Sequence, residues 1–255
     1  MTNPKDLKYY APDYPRTLHL PFQANAKRDD LIASQQETEI IFETDYLDVT
    51  EKIDGASCRM TIIEDQPVIG NRNHILNKSY ASTKQRNASK LQFASVWNWW
   101  YSNRVLFERL KEFGPYSVYG DWMYMAHGMI YDSLPSLFMT YDLYDYEKQY
   151  FVDTKISRQV LSSCGFTTVP LLHYGKVHSY EYLADLCNKK SDFSSEKREG
   201  IYVKVSDRDK ITKRFKMVRP DFSQGELLDQ TRIIKNLMKT EELRSEWVKK
   251  NFVYI

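Results

Sequence analysis

Val49-Thr50-Glu51-Lys52-Ile53-Asp54-Gly55 places a lysine at the end of an apolar, β-branched run and just ahead of an Asp-Gly turn. The run reads as a strand, and Gly55 gives the turn a permissive backbone. An amine there can act as a covalent nucleophile only if burial or neighbouring cations lower its pKa enough to free the lone pair. By itself the pattern is short enough to arise by chance in an exposed turn. Its meaning depends on the partners that the rest of the chain supplies.

Outward from that stretch, regular elements follow on both sides. Tyr46–Thr50 reads as a strand leading into Lys52. Ser57–Ile63 and Pro67–Arg72 read as a hairpin turned at Glu64-Asp65-Gln66. Glu39–Glu43 reads as a further strand and Asp29–Glu37 as a short helix. Met1 to Lys27 carries Pro4, Pro12, Pro15 and Pro21, which argue for an extended arm laid over a domain surface. Asn73 to Lys90 is a polar and basic loop. Leu91–Phe113 has a helical apolar period, with Phe93, Val96, Trp97, Trp100, Phe107 and Leu110 in phase and Gly114-Pro115 as the stop. Strands are expected over Tyr116–Tyr124, Ser136–Tyr144, Glu199–Val205 and Ile211–Val218. Helices are expected over Thr154–Cys164 and Tyr180–Cys187, and a helical pattern runs from Ser223 to Lys250. The expected fold class is α+β.

A chain of 255 residues, 42% hydrophobic, can bury a sizeable core. Its formal net charge of +2 lacks the strong excess of a non-specific nucleic-acid binder, so any such contact must come from a local basic face. Cys58, Cys164 and Cys187 are far apart with no C-x-x-C spacing, which argues for reduced thiols, no zinc site and a cytoplasmic setting. No apolar run approaches a membrane span, and Met1 to Lys8 lacks the apolar stretch of a secretory leader.

Further groups suited to phosphate chemistry follow Lys52-Ile53-Asp54-Gly55 in order. They are Tyr119-Gly120-Asp121, Phe138-Met139-Thr140-Tyr141-Asp142, Glu199-Gly200-Ile201-Tyr202-Val203-Lys204 and Arg214-Phe215-Lys216. Taken together from Asp48 to Phe222, they resemble the covalent nucleotidyltransferase superfamily, and most of all its ATP-dependent RNA ligases of the phage and RNA-editing branch. The resemblance implies an adenylation domain of antiparallel sheets flanked by helices over residues 1–222, arm included, and a short helical tail over 223–255. It implies ATP and Mg²⁺ as cofactors, an RNA substrate with a 5′-phosphate and a 3′-hydroxyl, and room for a separate end-healing partner.

The same resemblance assigns roles. Lys52 would attack the ATP α-phosphate, with Lys204 and Lys216 as catalytic cations and Arg214 beside them. Asp121 and Glu199 would hold metal and ribose, and Asp54 would support the turn. Arg72 would contact the nucleotide, Phe138 would stack on adenine and Glu51 would help fix it. Two positions depart from the family pattern: Asp121 stands where Glu is usual, and Arg214 opens the usual Lys-x-Lys. The absence of a clear oligonucleotide-binding segment after Phe222 weighs against a DNA ligase or a capping nucleotidyltransferase. A catalytically inactive binding module is the remaining alternative, with Asp121 its best support.

Overall fold

A computed structural model describes residues 4–21, 30–77, 91–223 and 234–238. Its strands form two sheets. The first has the order β1 (Leu18–His19), β11 (Ile211–Val218), β10 (Gly200–Ser206), β2 (Leu47–Lys52) and β9 (Leu171–Tyr174). The second has the order β5 (Ile75–Leu76), β4 (Gln66–Asn71), β3 (Ala56–Ile63), β6 (Tyr116–Trp122), β7 (Phe138–Asp145) and β8 (Tyr150–Phe151). All pairings are antiparallel except β1 with β11. The α+β expectation therefore holds. The chain passes from the first sheet to the second at Ile53-Asp54-Gly55, immediately after Lys52.

Side chains directly opposite one another across a ladder share a face. Lys52 lies opposite Gly200, Thr50 opposite Tyr202 and Asp48 opposite Lys204. Lys204 in turn lies opposite Arg214, and Tyr202 opposite Lys216. One face of the first sheet is thus polar. Its other face carries Leu47, Val49, Ile201, Val203, Phe215 and Met217, which pack with Leu183 and Leu186 of the helix Tyr180–Asn188. In the second sheet Met60, Ile69, Val118, Trp122 and Phe138 share a core with Val96 and Trp100, Phe107 and Leu110, and Leu161 from three helices. Those helices are Val96–Ser102, Arg104–Phe113 and Thr154–Cys164. Contacts between Lys204 and Asp142 join the polar face of the first sheet to the second.

Four local expectations change. The helix expected over 91–113 is broken at Asn103, whose side-chain amide donates to the Trp99 carbonyl at 2.8 Å and competes with the helical ladder. Glu39–Glu43 is not a strand: Ser34 and Glu37 form a capping box, and helical turns follow over Gln35–Thr38 and Ile40–Glu43. The arm begins with a helix at Pro4–Tyr10. Within the expected C-terminal helix, residues 234–238 are instead extended, bridging Met125 and Leu134; the remainder from 224 lies outside the described residues. The three cysteines are free and buried.

Asp48 provides a stability test. It is buried on the polar face of β2, its Oδ1 has no hydrogen-bond partner among the described residues, and Arg158 is 4.0 Å away. Burial pushes its carboxyl up from 3.8 to about 6, against the pull of Lys204 and Arg158. A carboxyl raised on folding favours the folded state in its protonated form. Its contribution is full below 3.8 and is lost as pH rises through about 6. Asp48→Asn has no such proton to lose. Its stability relative to the parent is expected to improve by about 1 kcal/mol between pH 5 and pH 8 in urea unfolding. An unchanged difference at the two pH values would contradict this.

Candidate active site

A cleft of about 310 Å³ opens where the sheets meet. Its lining includes Lys52, Ser57, Arg72, Asp121, Tyr141, Tyr202 and Lys216, together with Tyr14, Pro15 and Thr17 of the arm. Lys52 reaches it from the end of β2, Asp121 from β6, Tyr202 from β10 and Lys216 from β11. Gly55 serves packing here, since its φ is not positive. A Cβ on Gly55 would collide with the Met123 sulfur and lie 2.9 Å from the Asp121 Cβ. The glycine lets the turn after Lys52 lie against the strand that carries Asp121.

Lys52 Nζ lies 2.6 Å from Glu199 Oε1, with the Tyr202 ring centroid 5.6 Å away. Burial alone would lower the pKa of this amine. The Glu199 and Asp54 carboxylates, with Tyr202 beside them, outweigh burial and raise it, so the resting side chain is an ammonium ion. Glu199 is buried, and its Oε2 has no hydrogen-bond partner among the described residues. Burial pushes Asp121 up to about 7, with Lys52 opposing. Lys216 is depressed, first by burial and then by the charge of Lys52, and its Nζ is 3.7 Å from Asp30. Among the described residues no three His, Cys, Asp or Glu side chains gather as a metal cluster. A small hard cation held by one or two carboxylates plus phosphate and water does not need one. The free Oε2 of Glu199 and the nearby Asp121 carboxylate fit that donor set.

Other sequence-based assignments fall outside the cleft lining. Glu51 is adjacent to Lys52 in a strand and so points to the opposite face. It accepts hydrogen bonds from the Ser191 hydroxyl and the Asp192 N–H, which leaves it tying down a loop. Phe138 is buried in the core against Trp99, at a centroid distance of 5.4 Å. The β6–β7 register shifts between Tyr119 and Gly120, and Tyr141 is the extra residue of β7. The aromatic residues of the cleft lining are Tyr14, Phe93, Tyr141 and Tyr202, and Phe138 is not among them. Asp54 accepts a hydrogen bond from the Gly128 N–H, and its own N–H donates to the Tyr131 hydroxyl at 2.7 Å, so it clamps the turn.

Lys204 lies behind the cleft wall, paired with Asp142 at 2.5 Å, and Arg214 NH2 is 3.6 Å from the same carboxylate. Arg72 lies in the cleft lining and is exposed. His127 also lines the cleft. Its Nε2 is 3.0 Å from Gln92 Oε1, and burial lowers its pKa, leaving the ring neutral. Tyr202 could have been found by alternation, since it lies two residues from Lys204 on the same face. Tyr14 carries no local signal.

The family model described as RNA ligase matches residues 45–218. Among solved structures, the RNA ligase of Naegleria gruberi with pyrophosphate is similar at 20% identity and a TM-score of 0.50, over 81% of this chain and 60% of that one. A mutant of the same enzyme without ligand is 23% identical, with a TM-score of 0.51 over the same shares. Another mutant, with ATP and Mn, is 20% identical, with a TM-score of 0.51 over the same shares. At these identities the likeness speaks to the fold. The chain spans between about half and three fifths of the length of these relatives. No curated protein matches the chain.

Proposed function

The chain belongs to the RNA ligase family, and from that premise we propose that it is an ATP-dependent RNA ligase working through a lysyl-adenylate on Lys52. The observation that carries the reading is the position of Lys52. It stands at the end of a strand, between two sheets, in ion-pair contact with a buried carboxylate whose other oxygen has no hydrogen-bond partner among the described residues.

In the first step the Lys52 nitrogen bonds to the α-phosphorus of ATP, the bond to the bridging oxygen breaks, and pyrophosphate leaves. The AMP then passes to the 5′-phosphate of an RNA end. Last, a 3′-hydroxyl attacks that phosphate, forming the phosphodiester and releasing AMP. Lys52 must shed a proton before it attacks. Glu199 is the strongest influence holding Lys52 as an ammonium ion, and burial is the influence that favours the free amine. Glu199 and Asp121 would hold Mg²⁺, which supplies charge neutralisation at the phosphates. Lys216 and Arg72 add positive charge along the cleft, and Tyr141 and Tyr202 offer faces to a base. Among the described residues no helix is long and apolar enough to cross a membrane.

The test is incubation of the full chain with Mg²⁺ and radiolabelled ATP or GTP, followed by sealing assays on RNA and DNA ends. The expected result is an acid-labile AMP adduct from ATP and joining of 5′-phosphorylated RNA. An adduct from GTP alone, or sealing of nicked DNA alone, would overturn the assignment. Binding of ATP without any adduct would identify an inactive module.

A further inference from the structure

The family match starts at residue 45, yet the cleft is walled in part by Tyr14, Pro15 and Thr17. This arm is fastened to both sheets. The Ser117 hydroxyl donates to the Tyr10 carbonyl at 2.7 Å and the Tyr119 hydroxyl to the Pro12 carbonyl at 2.6 Å. Asp13 pairs with the buried Arg59 at 2.7 Å. Beyond the cleft, Leu18 and His19 add a parallel strand beside Phe215 and Lys216.

Between these anchors stands Tyr14. Its hydroxyl donates to Asp142 Oδ2 at 2.6 Å and accepts from Arg214 Nε at 3.1 Å. Its ring meets the Tyr141 ring edge to face at 5.4 Å. Lys204, held on the other oxygen of Asp142, lies 5.1 Å from the centroid of the same Tyr141 ring. Tyr141 therefore stands between two supports, the Tyr14 ring and the Lys204 ammonium, and both are joined through Asp142. It also occupies a bulge, where the ladder leaves an extra residue unpaired and its direction depends on such neighbours.

We propose that Tyr14 is a positioning residue of the nucleotide site: through Asp142 and by ring contact it fixes the direction of Tyr141, the cleft wall that meets the base of ATP. The arm is then part of the ligase site, although it precedes the family match. The inference rests on the ligase reading for its substrate.

The experiment compares wild type, Tyr14→Phe, Tyr141→Ala and the double variant in single-turnover adenylation across ATP concentrations. Tyr14→Phe removes one hydroxyl and keeps the ring. It is expected to raise the ATP concentration for half-maximal rate at least fivefold, with the rate at saturation within twofold of wild type. In the Tyr141→Ala background it is expected to add less than twofold. Asp13→Asn, which weakens the arm latch outside the cleft, is expected to lower the melting temperature without raising half-saturation. An unchanged half-saturation in Tyr14→Phe would overturn the proposal. So would a full further effect in the double variant, or a rise in Asp13→Asn equal to that of Tyr14→Phe. Calorimetric titration of wild type and Tyr14→Phe with ATP reads the same wall without chemistry. A wild type that binds ATP but forms no adduct would sink the ligase reading, while a wild-type-like affinity in Tyr14→Phe would sink this one.

Discussion

Lys52→Ala is expected to abolish the AMP adduct, with a loss on the order of 10⁴-fold or more in adenylation, since no other group can replace a covalent nucleophile. Alanine also removes the ammonium beside Glu199, so a second variant separates charge from bonding. Lys52→Arg keeps a cation near Glu199 but cannot supply a free amine, because a guanidinium stays protonated in proteins. Both variants should fail equally if Lys52 is the nucleophile. If Lys52 only supplies positive charge, Lys52→Arg should retain a substantial fraction of the adduct. Folding should survive Lys52→Ala near neutral pH, because burial already raises the Glu199 carboxyl and an unpaired Glu199 can take up a proton. Circular dichroism checks the fold, and adduct counting on denaturing gels checks the chemistry. An adduct of undiminished yield in Lys52→Ala would remove this residue from the mechanism.

The contrast between Lys52 and its sequence neighbour shows what the order of motifs could and could not convey. Ordered motifs brought Lys52, Arg72, Asp121 and Lys216 to one cleft and set Glu199 against Lys52, because each motif ends or spans a strand facing the junction of the sheets. Strand parity decided the rest. That Glu51 faces away from Lys52 could have been read from the sequence alone, since adjacent residues in a strand face opposite ways. Phe138 could not, because the choice between it and Tyr141 turns on a register shift with no local signature. Lys204 and Arg214 share the face of Tyr202 and Lys216, but they lie further along the ladder, where Asp142 consumes their charge. Gly55 was legible as a glycine position for the wrong reason: contact with β6, which lies far away in sequence, demands it rather than the turn. Tyr14 is separated from Asp142 by 128 residues, and an arm without periodicity gives no hint of where its side chains land.

That buried network also predicts the largest stability effect. Asp142 is fully buried and Lys204 almost so, and they are 2.5 Å apart. The same carboxylate accepts from Tyr14 and faces Arg214. Deleting one partner of a buried ion pair leaves the other charge without compensation, so Asp142→Ala is expected to cost ~3–5 kcal/mol. The measurement is the urea midpoint at constant slope. Asp142→Asn should cost less, because an amide oxygen can still accept from Lys204 while its NH₂ meets Tyr14. Replacing the pair together, as Asp142→Leu with Lys204→Met, should recover most of the loss, because a packed apolar pair avoids the desolvation of two ions. A midpoint for Asp142→Ala within 1 kcal/mol of wild type would mean that water reaches Lys204 and that the network is not sealed. The double variant then asks a question that the single one cannot. If it folds stably but adenylates slowly, Lys204 acts on the cleft through its charge and through Tyr141. If it adenylates normally, the Lys204–Asp142 pair is architecture, and the working cations are Lys52, Arg72 and Lys216.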